Sequence, residues 1–147
     1  MGQEQIDLTL NALDNEVFVI TQVNLDVSSP DIPTGANDIN FSSATLSTTQ
    51  REDVGTIGAS NVIASAQREL GRTAVGMYQF DREDPLFAAI SEDYLAIVAT
   101  NNMWLQVIGE GAAVANIKSV RCRVYGYRAQ ASAAQYAALV QSELLSA

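Results

Sequence analysis

Few residues of this chain are equipped for covalent chemistry. It has no histidine and a single cysteine, Cys122. Ser-His-Asp and Cys-His nucleophilic catalysis, His-containing zinc sites and thiolate clusters are therefore excluded, and no disulfide can close within the chain. Carboxylates remain. Asp81, Glu83 and Asp84 precede Pro85, and Glu92 and Asp93 follow, residue types that supply calcium sites and general acid/base pairs. Arg82 interrupts the first cluster and no EF-hand spacing is present, so these acids read as a solvated charged corner. Gly55-Thr56-Ile57-Gly58 lacks the Lys-Ser/Thr that completes a phosphate-cradling loop and reads as a turn. No catalytic residue, metal ligand or cofactor site is nominated, and the expectation is a protein that is not an enzyme.

The recognition chemistry is concentrated in Ile117 to Arg128. In an extended chain Val120, Cys122 and Val124 fall on one face, and Arg121, Arg123, Tyr125 and Tyr127 on the other. Arginines interleaved with aromatics suit nucleic-acid contact; the same pair of residue types is favoured in protein interfaces. The charge balance favours the second use. The chain carries 17 acidic residues against seven arginines and one lysine, Lys118, for a net charge of −9. A field of that sign repels phosphates, and it leaves acids free to pair with Arg121 and Arg123. Sequence-specific nucleic-acid binding is not expected. Cys122, on the apolar face, reads as a small core residue.

The elements that must position this strip can be read from periodicity. With 147 residues and a hydrophobic fraction of 48%, the chain can bury a core without a staple. Residues 1–15 read as an N-terminal arm or edge strand, 16–129 as a β-sandwich domain and 130–147 as a C-terminal helix. Val17, Val19, Val23, Leu25 and Val27 mark a strand whose first half, with Phe18 and Ile20, is apolar on both faces and must lie under a second layer or a neighbouring subunit. Ser28 to Asn40, with Pro30, Pro33 and Gly35, is a surface connection, and Ile39 to Thr49 is a Ser/Thr-rich strand. Asn61 to Leu70 has helical spacing of Val62, Ile63, Ala66 and Leu70, with Gly71 as its stop, and a strand as the competing reading. Ala74 to Phe80 is a strand broken at Pro85. Tyr94 to Thr100 and Met103 to Ile108 are expected to form a hairpin about Asn101-Asn102, and Ile117 to Arg128 is the last strand. Ala133, Tyr136, Ala137, Val140 and Leu144 then repeat at helical spacing without Gly or Pro. This stripe docks either on the outside of the chain's own sheet or on a neighbour. Missing helical crossovers between strands point to an all-β, antiparallel β-sandwich of jelly-roll-like layout.

No basic, apolar leader begins the chain and no apolar run reaches membrane-spanning length, so export and a transmembrane segment are not expected. The sequon Asn40-Phe41-Ser42 then reads as chance.

In texture and layout the chain resembles small β-sandwich, single jelly-roll-like virion proteins of viruses that infect bacteria or archaea. The resemblance runs over residues 14 to 130 and rests on Asp14-Asn15-Glu16-Val17-Phe18-Val19-Ile20, the Ser/Thr-rich middle, Asp93 to Thr100 and Val120 to Arg128. It implies a subunit that self-assembles, with other virion proteins, into a capsid shell or attached layer built in the host cytoplasm. Lacking a basic arm, the chain departs from coat proteins that package the genome. Under this reading the subunit interface would draw on Arg121, Arg123, Tyr125 and Tyr127 and on the helix through Tyr136, Val140 and Leu144. The alternative is a stand-alone β-sandwich module that binds carbohydrate or calcium.

Overall fold

The longest β-branched run of the sequence sits at the centre of the smaller of two sheets. The computed structural model describes residues 1–84, 93–112 and 114–145; Pro85 and Glu92 of the charged corner lie outside them. Its strands are β1 (Gly2–Asp7), β2 (Glu16–Val27), β3 (Ile39–Ser47), β4 (Val62–Thr73), β5 (Gly76–Asp84), β6 (Ala96–Val98), β7 (Asn102–Gly111) and β8 (Val120–Gln130), followed by helix α1 (Ala133–Leu145). A five-stranded antiparallel sheet has the order β1-β7-β3-β4-β5, and a three-stranded one has the order β6-β2-β8. The expected all-β sandwich with a C-terminal helix is the observed fold. Its core is formed where the inner faces meet, by Ile20, Val23, Leu25 and Val27 of β2 against Ala44, Leu46, Ile63, Ala64, Met103 and Val107 of the larger sheet. Each larger aliphatic side chain so buried contributes about 1.5–3 kcal/mol.

Strict alternation would put Val17 and Val19 on the face of Val23. A β-bulge between Ile20 and Gln22 changes that parity. Ile20 joins Val23 in the sandwich core, whereas Val17 and Val19 turn outward into a second apolar cluster. The extra residue, Thr21, donates its hydroxyl to the Tyr125 carbonyl at 3.2 Å. Opposite Ile20 lies Gly126, where a Cβ would come within 2.3 Å of the Val19 carbonyl oxygen. Glycine is what lets the two strands stay close through the bulge.

Two expected local structures are corrected. Asn61 to Leu70 is not a helix: Val62 to Ala66 are all buried within β4, which pairs with β3 on one side and β5 on the other. Ladder partners on both sides outweigh a helical spacing, and an irregularity between Leu46 and Ser47 lets the adjacent Ile63 and Ala64 both reach the core. Gly71 is no helix stop but a strand residue, and the Tyr78 ring across the ladder fills the space its side chain would occupy.

Nor do the runs flanking Asn101-Asn102 form a hairpin. β6 pairs with β2 in the small sheet, and β7 pairs with β1 and β3 in the large one. The segment between them crosses from sheet to sheet, and its backbone groups find partners elsewhere. Asn101 accepts from Leu8 N–H through its carbonyl and from Leu10 N–H through Oδ1. The N–H groups of Ala99 and Thr100 donate to the two carboxylate oxygens of Glu143 at 2.7 and 2.9 Å.

Helix α1 docks on the chain's own sheet. Ser132 and Gln135 form a capping box at its start, each side chain accepting from the other's backbone N–H. Tyr136, Leu139 and Val140 then cover Val17, Val19, Ile97, Ala99 and Ala129. The buried stripe therefore runs through Tyr136, Leu139, Val140 and Glu143, rotated from the expected one, and Leu144 is exposed. Glu143, 7% exposed, causes the rotation, since its carboxylate must face the two N–H donors at the sheet crossing.

A 13-residue helix is marginal by itself, so this contact supports the whole segment. Glu143→Ala should cost about 2 kcal/mol in urea unfolding by leaving two donors without their charged acceptor, and should speed hydrogen exchange at Ala99 and Thr100. Glu143→Gln, which keeps one acceptor, should cost less.

Candidate subunit interface

Strand β8 owes its position to a polar clamp just before it. Asp31, on the connection after β2, accepts from the Lys118 ammonium at 3.0 Å, from Ala115 N–H at 3.0 Å, from Asn116 N–H at 3.3 Å and from the Asn116 side-chain amide. Both charged side chains of the pair are almost wholly buried. The backbone carbonyl of Asp31 also accepts from Asn40 Nδ2, which ties the start of β3 to the same point. One step further on, Ser28 and Ser119 are joined by two hydrogen bonds, and β8 then runs antiparallel to β2 from Val120 to Gln130.

Along that ladder Val120, Cys122 and Val124 pack inward against the core. Burial pushes the Cys122 thiol up to about 11, so at neutral pH it is an inert, protonated hydrophobe. Arg121, Arg123, Tyr125 and Tyr127 are brought together on the outer face. They are open to solvent: the Arg121 side chain is 89% exposed, and Tyr125 and Tyr127 are 42% and 54% exposed. Arg121 meets Asp26 on β2 at a long 3.7 Å, while the Tyr125 hydroxyl beside Arg123 favours the charged guanidinium. At the far end Arg128 pairs with Glu16 at 3.1 Å and donates to the Leu8 and Thr9 carbonyls. Among the described residues no strand pairs with the other edge of β8.

The helical candidates separate. Tyr136 and Val140 are engaged by the chain's own sheet, and Leu144 points to solvent. Beside the helix, Val17, Val19, Ile97, Ala129 and Leu139 line an apolar cleft of about 510 Å³. Trp104 lies on the outer face of the large sheet between Gln5 and Ser47. The acids of the charged corner that fall in β5 have local partners, Asp81 with Arg68 at 3.3 Å, Asp84 with Arg82 at 3.0 Å and Glu83 with the Leu25 N–H at 2.9 Å. Among the described residues no three acidic or sulfur ligands converge.

Sequence reasoning missed Asp31, Lys118 and Glu143. The signal for the first pair was the isolation of the chain's one lysine just ahead of an apolar strand. For Glu143 it was an acid on the stripe side of an alanine-rich helix. No protein-family model, curated protein or solved structure matches this chain.

The Asn116 amide and then the Lys118 ammonium hold the Asp31 carboxyl well below the usual carboxylate range. Because this pKa is lower in the folded than in the unfolded chain, the stabilisation is complete above about pH 4 and lost as pH falls through the folded value. Asp31→Asn should therefore be less stable than the parent near neutrality, with the gap narrowing below about pH 4. Urea unfolding at several pH values checks this; a gap that does not change with pH would exclude the charged clamp.

Proposed function

We propose that this chain is a structural subunit that self-assembles, and specifically a virion protein forming a capsid shell or an attached layer alongside other virion proteins. The virion role rests on the resemblance of layout and texture over residues 14 to 130, and one observation carries the self-assembly. A strand of 11 residues, whose outer edge no strand pairs with among the described residues, presents two arginines and two tyrosines in an uninterrupted exposed row, and these are residue types enriched where proteins meet. Monomeric sandwiches keep edge strands short, bulged or covered; β8 is long, and its bulge lies on the partner strand instead. Assembly in the host cytoplasm follows from the virion role.

A polar cleft of about 200 Å³ favours a second reading, a carbohydrate-binding module. Ser43, Asp53, Thr56, Ser65, Arg82 and Glu110 are among its lining residues. Titration calorimetry with simple sugars decides it, and heats indistinguishable from dilution remove it.

Light scattering on the purified protein, with electron microscopy of the same sample, tests the first reading. Defined oligomers or shells are expected; a monomer at every salt and protein concentration would overturn it. Arg121→Glu with Arg123→Glu should abolish assembly yet move the melting temperature by no more than about 3 °C, since substitutions at exposed positions change stability little.

A further inference from the structure

The row on β8 is complementary to itself. Read along the strand, its outer face carries two cations and then two aromatics: Arg121, Arg123, Tyr125, Tyr127. Laid antiparallel against an identical strand about Val124, that order sets Arg121 opposite Tyr127 of the second copy and Arg123 opposite Tyr125 of the second copy. Each guanidinium then meets the negative face of a ring, and four such cross-strand pairs form at once. A parallel alignment places like residues side by side.

The backbone selects the same register. Leu25 turns its N–H away from β8, to Glu83, and Leu25 lies opposite Cys122. In an antiparallel ladder opposed residues point their backbone groups together or apart as a pair. Cys122 therefore directs its N–H and C=O to the open edge, and at a period of two Val120, Val124 and Gly126 do the same. The two-fold register through Val124 opposes Val124 to itself and Cys122 to Gly126, so outward groups meet outward groups. A slip by one residue on either strand removes every such bond. The adjacent registers that keep the bonds set Arg123 against Arg123 or Tyr125 against Tyr125, and the next ones set Arg121 against Arg123 or Tyr125 against Tyr127. Asp26, beside Arg121 on the β2 side, leaves the ring-facing side of that guanidinium free and moderates repulsion between the gathered cations.

We infer that two copies of this chain join through β8, antiparallel and about a two-fold axis at Val124, merging their three-stranded sheets into one continuous sheet. This rests on the self-assembly reading and names its elementary contact: an isologous dimer, the commonest closed symmetry, from which larger assemblies grow through other surfaces.

Exchange of residues across the axis tests the register. Sedimentation equilibrium of the full chain should give a dimer dissociation constant, and Tyr125→Arg, which sets arginine against Arg123 twice per dimer, should raise it at least about tenfold. The double variant Arg123→Tyr with Tyr125→Arg restores unlike pairs and should return the constant to within about threefold of the parent, on the same pair energies. Arg121→Tyr with Tyr127→Arg, against Tyr127→Arg alone, repeats the test at the outer pair, and circular dichroism confirms that each variant is folded. If the exchanges fail to rescue, or the single variants do not weaken association, the β8 pairing is wrong while assembly stands. A parent that stays monomeric overturns both.

Discussion

The constraint on which the rest of this fold depends is that β2 must be hidden on both faces. Its first half carries Val17 and Val19 on one side and Phe18 and Ile20 on the other, and a single sandwich layer covers only one of them. The larger sheet takes Ile20 and the residues beyond the bulge; helix α1 takes Val17 and Val19. The extra residue at Thr21 makes this division possible, because without a change of parity the outward valines and the inward Val23 would compete for one face. Gly126 on the partner strand admits the bulge. Once the helix covers the start of β2, the outer face of the small sheet is left open beyond the bulge, at Asn24 and Asp26 of β2 and along β8, where the arginines and tyrosines stand.

Polar groups fix what apolar burial leaves loose. Burying Val17 and Val19 demands a cover but does not specify the helix's rotation about its axis. Glu143 does, by accepting from Ala99 and Thr100 at the point where the chain leaves one sheet for the other. Asp31 plays the corresponding part for β8, drawing residues 115–118 and the Asn40 side chain to one carboxylate and one carbonyl. A buried ion pair adds little stability over an apolar substitute, but it is directional, and breaking one partner is costly. Both acids act at chain crossings, where no ladder supplies partners for the backbone.

The elements legible from residue order were those whose local pattern suits the structure they form: β2, β3, β8 and α1 show alternation or helical spacing, although neither the bulge in β2 nor the rotation of α1 could be read from it. The failures share a cause, which is that tertiary partners overrode a local signal. Val62 to Ala66 carry apolar residues at helical spacing, yet β3 pairs along this segment and β5 joins from Ser65 onward. Asn101-Asn102 has the chemistry of a tight turn, but its flanking runs belong to different sheets, and nothing in local sequence records a sheet assignment. The outward arginine and tyrosine row was legible because exposure and alternation coincide there. The helix stripe was read from apolar residues alone and so missed that an acid, Glu143, determines which side faces inward.

The net charge of −9 bears on how such a subunit would associate. Copies repel at long range, so encounter is slowed at low salt, and the repulsion fades within a Debye length of about 8 Å at physiological ionic strength. Contact must then be carried by short-range terms that added salt does not screen away. Strand hydrogen bonds and guanidinium-ring packing meet that requirement better than surface ion pairs, whose attraction would be screened along with the repulsion. In the proposed assembly an acidic body with a local arginine and tyrosine edge would separate the two roles: the body would keep copies apart until they are close, and the edge would select which faces join.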